Sequence, residues 1–154
     1  MSAFFTGSYG NDMVNYVNRW INYHNFAGNR SKDRLYNSWG SPYLTDNSKS
    51  KLAMAETDDE GSQQPSTHFV EDASYLRLKS FQLGYNLPKG SLKKLGISKM
   101  RIYFQASNLF TITNYSGLDP ESGLDPDGSD SLFGIDRGGW PTSQQFMIGL
   151  NLGL

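Results

Sequence analysis

Five carboxylates, Asp119, Glu121, Asp125, Asp127 and Asp130, crowd the stretch YSGLDPESGLDPDGSD. Oxygen ligands at such intervals can hold a hard cation such as calcium. The spacing departs from an EF-hand loop, in which the glycine and the closing bidentate glutamate stand elsewhere. A solvated acidic turn accounts for the same residues with no metal at all. A second group is aromatic: Trp20, Tyr23, Trp39, Tyr43 and Trp140 sit among Asn and Ser side chains. Flat apolar rings beside hydrogen-bonding groups suit the recognition of a sugar or a peptide. Trp39, Tyr43 and Trp140 are the candidate ligand residues, whereas Trp20 lies on a helical stripe and is expected to pack.

No catalytic constellation accompanies them. His24 and His68 are the 2 histidines. The first falls on a helix stripe and the second beside Phe69, so both read as packed residues. Nucleophile elbows, zinc-protease helices and phosphate-cradling glycine loops are missing from the sequence, so no enzyme activity is expected. With 0 cysteines, disulfides and thiolate chemistry are excluded. A formal net charge of -1 and a pI near 6.1 leave no basic field for nucleic acid. Mean hydropathy is -0.55, and no apolar run approaches the ~20 residues of a spanning helix. Spanning strands remain possible, because they need only ~9–11 residues with apolar side chains at alternate positions.

The elements that must carry these groups centre on residues 74–115, which read as two long antiparallel strands around a short basic turn. In the second strand Met100, Ile102, Phe104, Ala106, Phe110 and Ile112 share one side, while Arg101, Gln105, Ser107, Thr111 and Thr113 share the other. Asn108, Tyr103 and Leu109 interrupt this alternation. In the first strand Phe81, Leu83, Tyr85 and Leu87 alternate with polar residues, but Leu76 and Leu78 have the opposite parity. A one-residue bulge near Lys79 or Ser80 would restore them to the same face.

Upstream, Ser2 to Tyr9 has the composition of a strand. Met13, Tyr16, Val17, Trp20, Ile21 and His24 then follow helical spacing, with Asn11 or Asp12 as the cap and Gly28 as the stop. A short helix is expected over Lys32 to Trp39. Residues 40–67 lack periodicity and read as a large surface loop. Downstream, the turn from Pro88 to Gly96 carries Lys89, Lys93 and Lys94, and residues 116–141 form another long loop. Gln144 to Leu154 is a strand, with Phe146, Ile148, Leu150, Leu152 and Leu154 facing one way. Arg77, Arg101, Gln105, Gln145 and Asn151 face the other, where they would line a passage or pack against a filling domain.

Long, short and long connections between about four strands match outer-membrane barrels, which have short periplasmic turns and long extracellular loops. Tyr75, Tyr85, Phe110, Tyr115 and Trp140 lie near strand ends, where aromatic girdles form. A soluble β-sandwich with a packed aromatic core fits the alternation equally well. Four strands would leave two open edges, which lipid does not tolerate, and the smallest barrels need ~8. Strand pattern alone therefore leaves two all-β readings even: antiparallel transmembrane β-barrel strands forming a partial barrel of about four strands, or that sandwich. Long loops over about 10–73 and 116–142 would carry the short helices. The start, MSAFFTG, lacks the basic and apolar regions of a signal peptide.

The wording of EDASYLRLKSFQLGYNLP, LKKLGISKMRIYFQASNLFTITNYSGLDPE and FMIGLNLGL resembles the C-terminal barrel strands of the SusC/RagA family of TonB-dependent outer-membrane transporters. The resemblance spans most of the chain from about Phe5. It implies a C-terminal fragment of a nutrient importer for glycans or peptides, located in the bacterial outer membrane. It also implies a SusD-like surface lipoprotein, TonB acting through a plug outside this stretch, the rest of the barrel, and membrane lipid as partners. It puts the acidic loop outside the cell without making its carboxylates ligands; no cofactor beyond a possible calcium is expected. Outer-membrane strands of this kind usually end in an aromatic residue, whereas this one ends in Leu154. The alternative is a soluble carbohydrate-binding β domain with Trp39 and Trp140 as its platform, and a third reading is an adhesin-like module.

Overall fold

The computed structural model describes residues 1–23, 28–56, 61–88, 90, 96–121 and 134–153. In chain order the strands are β1 (Ser2–Ser8), β2 (Asp12–Asn15), β3 (Val70–Asp72), β4 (Tyr75–Asn86), β5 (Lys99–Ser107), β6 (Thr111–Thr113), β7 (Ile135–Asp136) and β8 (Gln145–Gly153). The helices are α1 (Tyr16–Tyr23) and α2 (Lys32–Tyr36), with single 3-10 turns at Asn47–Lys49 and Thr67–Phe69. The described residues are mostly strand and loop, and no helix among them is long and apolar enough to cross a membrane. Two compact units divide the chain: Met1–Asn11, Ala73–Asn114 and Pro141–Leu154 in one, Asp12–Asp72 and Tyr115–Trp140 in the other.

The first unit is an antiparallel sheet of order β1-β4-β5-β8, with β6 also paired to β4. Residues paired across strands share a face, so the register sorts every side chain. The rungs Phe81–Ala106–Phe146, Leu83–Phe104–Ile148 and Tyr85–Ile102–Leu150 stand on one side. Between them, Gln82–Gln105–Met147, Gly84–Tyr103–Gly149 and Asn86–Arg101–Asn151 stand on the other. Leu83, Tyr85, Ile102, Phe146 and Leu150 are exposed, and Ile148 is 80% exposed. The apolar side is thus an outer surface rather than a core.

The bulge expected near Lys79 is present. Phe4 pairs with Ser80 and Phe5 with Leu78, which leaves Lys79 as the extra residue. Leu76 and Leu78 thereby join the face of Phe81. The irregularity widens across the sheet. From the rung Phe4–Ser80–Ser107 to the rung Thr6–Arg77–Thr111, β1 advances two residues, β4 three and the β5–β6 chain four. Asn108 and Leu109, which break the alternation in sequence, are the two surplus residues. Asn108 has a left-handed φ of 52, which Asn tolerates better than most residues. Its Nδ2 donates to Ser143 O at 3.2 Å, and Gln144 Nε2 donates to Leu109 O at 2.8 Å. These bonds tie the insertion to the start of β8.

The second unit corrects several expectations. Asp12–Asn15 is a strand, antiparallel to β3 and parallel to β7, and not the start of a helix. Asn15 rather than Asn11 or Asp12 caps α1, its Oδ1 accepting from Asn18 N at 2.9 Å. Met13 therefore belongs to β2, and the apolar stripe begins three residues too early. Trp20 and Ile21 are exposed, whereas Asn22 and Tyr23 are buried. α2 stops at Tyr36 instead of reaching Trp39. Residues 40–67 are not without a core: Leu52 is buried with Tyr23 and Phe69, and Trp39 N donates to Leu52 O at 3.0 Å. His24, Asp125, Asp127, Asp130, Lys89, Lys93, Lys94 and Leu154 lie outside the described residues.

Candidate ligand-binding surface in the loop unit

Polar contacts hold this unit together. Glu71 of β3 accepts through Oε1 from Asn15 Nδ2 (3.0 Å) and Ser116 Oγ (2.9 Å), and through Oε2 from Ser116 N (3.0 Å). Burial raises the Glu71 pKa, but the Ser116 hydroxyl and amide, with Asn15 and Asn18, outweigh it and leave the carboxyl below its ordinary value. Tyr115 closes a second contact, donating its hydroxyl to Asp136 Oδ2 at 2.8 Å. Burial, the hydrogen bond to Asp136 and the charges of Asp136 and Glu71 all raise the Tyr115 pKa. Gly117 lies so close to this pair that a side chain there would run into the Tyr115 ring and Asp136. Tyr115 is buried, which corrects its reading as a girdle residue at a strand end.

Against this frame, Trp39 is 51% exposed and lines a cavity of ≈ 570 Å³ with Tyr23, Leu52, Met54, Gln64, Ser66 and His68. The Trp39 backbone is fixed through Leu52 O, so its ring is placed by the fold-back of the loop rather than by a helix. Tyr23 OH and His68 Nε2 lie 3.3 Å apart, and both rings meet Phe69 edge-on. Among the described lining residues, Lys51 is the only Lys, Arg, Asp or Glu. One indole face, two aliphatic side chains and several neutral hydrogen-bonding groups suit an uncharged amphipathic ligand.

The other aromatic candidates stand apart from this cavity's lining. Tyr43 is exposed and meets Tyr36 edge-on, with ring centroids 5.3 Å apart. Trp140 is 97% exposed, and among the described residues no ring contact joins it to Trp39 or Tyr43. The sequence named Trp39 but missed Met54, Gln64 and Ser66, which come from a stretch with no periodicity to reveal them.

In the acidic loop, Asp119 is 3% exposed and accepts through Oδ1 from Glu121 N at 2.9 Å. That is the geometry of a turn cap. No group of three or more metal-binding side chains occurs among the described residues. In the sheet unit, Arg77 is 3% exposed and donates to Thr111 Oγ1 and Thr142 Oγ1, each at 2.8 Å. It therefore braces the sheet instead of presenting a free charge.

No protein-family profile matches the chain. Among characterised proteins, it is 34% identical over 155 residues to the TonB-dependent receptor P3 of Formosa agariphila, a match that covers 99% of this chain and 14% of the relative. It is 37% identical over 90 residues to the TonB-dependent receptor SusC of Bacteroides thetaiotaomicron, covering 56% of this chain and 8% of that protein. Among solved structures, a chain of the RagAB peptide transporter superposes with a TM-score of 0.71 at 30% identity, covering 97% of this chain and 15% of that one. A chain of the RagAB importer in its open-open state gives a TM-score of 0.71 at 31% identity, covering 99% and 15%.

Proposed function

Since this chain is a SusC/RagA-like piece of the TonB-dependent receptors, matching 14% of one such receptor's length, we propose that it serves as barrel wall and ligand-facing loops of an outer-membrane nutrient importer. The observation that carries this reading is the sheet side shared by Leu83, Tyr85, Ile102, Phe146, Ile148 and Leu150, all of them exposed. A soluble domain would bury that side against a second layer, because apolar area is costly in water. Lipid tails accept it, provided the outer edges of β1 and β8 meet strands from the rest of a larger barrel. The polar side would then line the interior, and the loop unit would stand at the cell surface.

In this reading the imported nutrient is a glycan or a peptide fragment, and the likeness to a chain of the RagAB peptide transporter supports the second. Trp39 would offer its ring to that ligand, with Tyr43 and Trp140 as further exposed aromatic contacts. A SusD-like lipoprotein would cover the loops, and TonB would act through a plug contributed by other parts of the receptor. Because the chain has 0 cysteines, single cysteines can report the two faces. In the intact receptor within outer membranes, a cysteine at Ile148 or Leu150 should react only with lipid-soluble maleimides. One at Met147 or Gln105 should react with water-soluble reagents once the interior is open. Equal aqueous reactivity at Ile148 and Met147 would end the reading.

A further inference from the structure

Trp39 and Met54 line two cavities of the loop unit at once: the one of ≈ 570 Å³ described above and a smaller one of ≈ 190 Å³. The two side chains therefore form a ridge with a hollow on each side. Gly40, left-handed at φ 73, turns the chain directly after Trp39, and a Cβ there would meet the Met54 sulfur at 3.8 Å. Gly40 N donates to Asn47 Oδ1 at 2.9 Å, and the buried Ser38 donates its hydroxyl to Arg34 O at 2.6 Å. The backbone on both sides of Trp39 is thus tied down before any ligand arrives, so little ordering remains to oppose binding.

Beyond the shared ridge the hollows are largely aliphatic. Leu52 and Ala53 add to the larger, and Leu35, Pro42 and Ala55 to the smaller. Carboxylates and amides, whose paired polar atoms suit the adjacent hydroxyls of a sugar, are represented among the described lining residues by Gln64 alone. The backbone supplies what the side chains do not. Ser38 and Leu52 form a parallel bridge, with Leu52 N donating to Asn37 O (3.3 Å) and Trp39 N to Leu52 O (3.0 Å). Pairing stops there. Ala53, Met54 and Ala55 are exposed, and their backbone N–H and C=O groups meet no partner among the described residues. Open backbone beside side-chain hollows suits an extended peptide, which main-chain bonds hold while alternate side chains enter pockets.

We infer that residues 53–55, with the Trp39–Met54 ridge, bind an extended peptide, one apolar side chain entering each hollow. Positions i and i+2 of such a peptide point the same way, about 6.8 Å apart, so they can straddle one ridge. Neighbours i and i+1 point to opposite sides and cannot. The assignment deepens, and rests on, the reading of this unit as ligand-facing.

The test is calorimetric titration of the full-length receptor in detergent with end-blocked pentapeptides. Acetyl-Gly-Leu-Ser-Leu-Gly-amide should bind at least several-fold more tightly than acetyl-Gly-Leu-Leu-Ser-Gly-amide, which has the same composition. Methylating all its backbone nitrogens should weaken it at least several-fold. Ala55→Phe, which fills the smaller hollow from an exposed position, should erase the difference between the two peptides and leave the weaker one unchanged. Equal affinities in the native receptor, undiminished binding after methylation, or no response to Ala55→Phe overturns the inference. So does tighter binding of maltopentaose, which would assign the ridge to a glycan. Failure of the barrel reading shows separately, as aqueous labelling at Ile148.

Discussion

Tyr115 and Asp136 form a buried pair: the phenol hydroxyl lies 2.8 Å from Asp136 Oδ2, and Asp136 is 1% exposed. Asp136 Oδ1 takes a second bond from Gly138 N, also at 2.8 Å. The carboxylate has left water and is held by donors from two sides, one of them a side chain that a single substitution removes.

Tyr115→Phe should therefore cost about 1–3 kcal/mol, because it strips a donor from a buried acceptor. Alkali should have a related effect. The folded state holds the Tyr115 proton above the ordinary value of 10.0, so its contribution is fully present below pH 10 and declines as pH rises through and beyond it. Hydrogen-exchange protection of residues 115–119 and 135–138 should weaken above pH 10 in the native chain. In Tyr115→Phe it should be weak already at neutral pH. Unchanged protection in the variant would refute the assignment.

Glu71 has the opposite sign. Its folded carboxyl titrates below the ordinary 4.5, so its contribution is present above pH 4.5 and is lost as pH falls through the lower folded value. Acid should release Ser116 from β3 before it disturbs the sheet unit. Glu71→Gln should weaken the contact by about 1–3 kcal/mol and flatten this acid response, since an amide has one acceptor oxygen and its NH2 would face a donor that the second carboxylate oxygen accepts. An acid titration of Ser116 amide protection, native against variant, measures both effects. An identical acid midpoint in the two proteins would count against the Glu71 contact.

The sheet was legible in the sequence, and the loop unit far less so. Alternation placed Phe104, Ile102 and Ile148 on one face, and the parity break between Leu78 and Phe81 put a bulge near Lys79 or Ser80, of which the register leaves Lys79 unpaired. Those signals survive because a strand has a fixed period and one buried or lipid-facing side. The loop unit is held instead by Asn15, Asn22, Glu71 and Asp136, polar groups that a search for apolar periodicity discards. The same blindness moved the α1 cap from Asn15 to Asn11 or Asp12. It also left Gln64 and Met54 unremarked beside Trp39, because contacts between loops leave no local pattern.

Two glycines of the polar side should respond differently to substitution. A Cβ at Gly149 would collide with the Tyr103 ring. At Gly84 it would meet the flexible end of Arg101, at 2.8 Å from Nε. Gly149→Ala should thus cost about 1–3 kcal/mol by displacing a ring between β5 and β8. Gly84→Ala should cost less, because the guanidinium can swing aside. Thermal or denaturant unfolding of the full receptor, read by heat-modifiable gel mobility, ranks the two. Equal losses would mean that Tyr103 is not held as described.

Ile148 and Met147 are neighbours in sequence and opposites in space. Ile148 shares its rung with Phe104 and Leu83, and Met147 shares one with Gln105 and Gln82. Lysine at each position presents the same charge on the same strand one residue apart, so depth and local propensity nearly cancel. Lipid cannot solvate an ammonium near its midplane, and Ile148→Lys should cost about 2–4 kcal/mol there. The polar interior can hydrate the same group, so Met147→Lys should change stability by less than about 1 kcal/mol. The variants separate by the amount of receptor recovered folded in the outer membrane, with the first depleted and the second near wild type. A soluble sandwich would also reject Ile148→Lys, but its Met147→Lys protein would remain monomeric in plain buffer. A requirement for detergent in the Met147→Lys protein therefore assigns the apolar side to lipid rather than to a second protein layer.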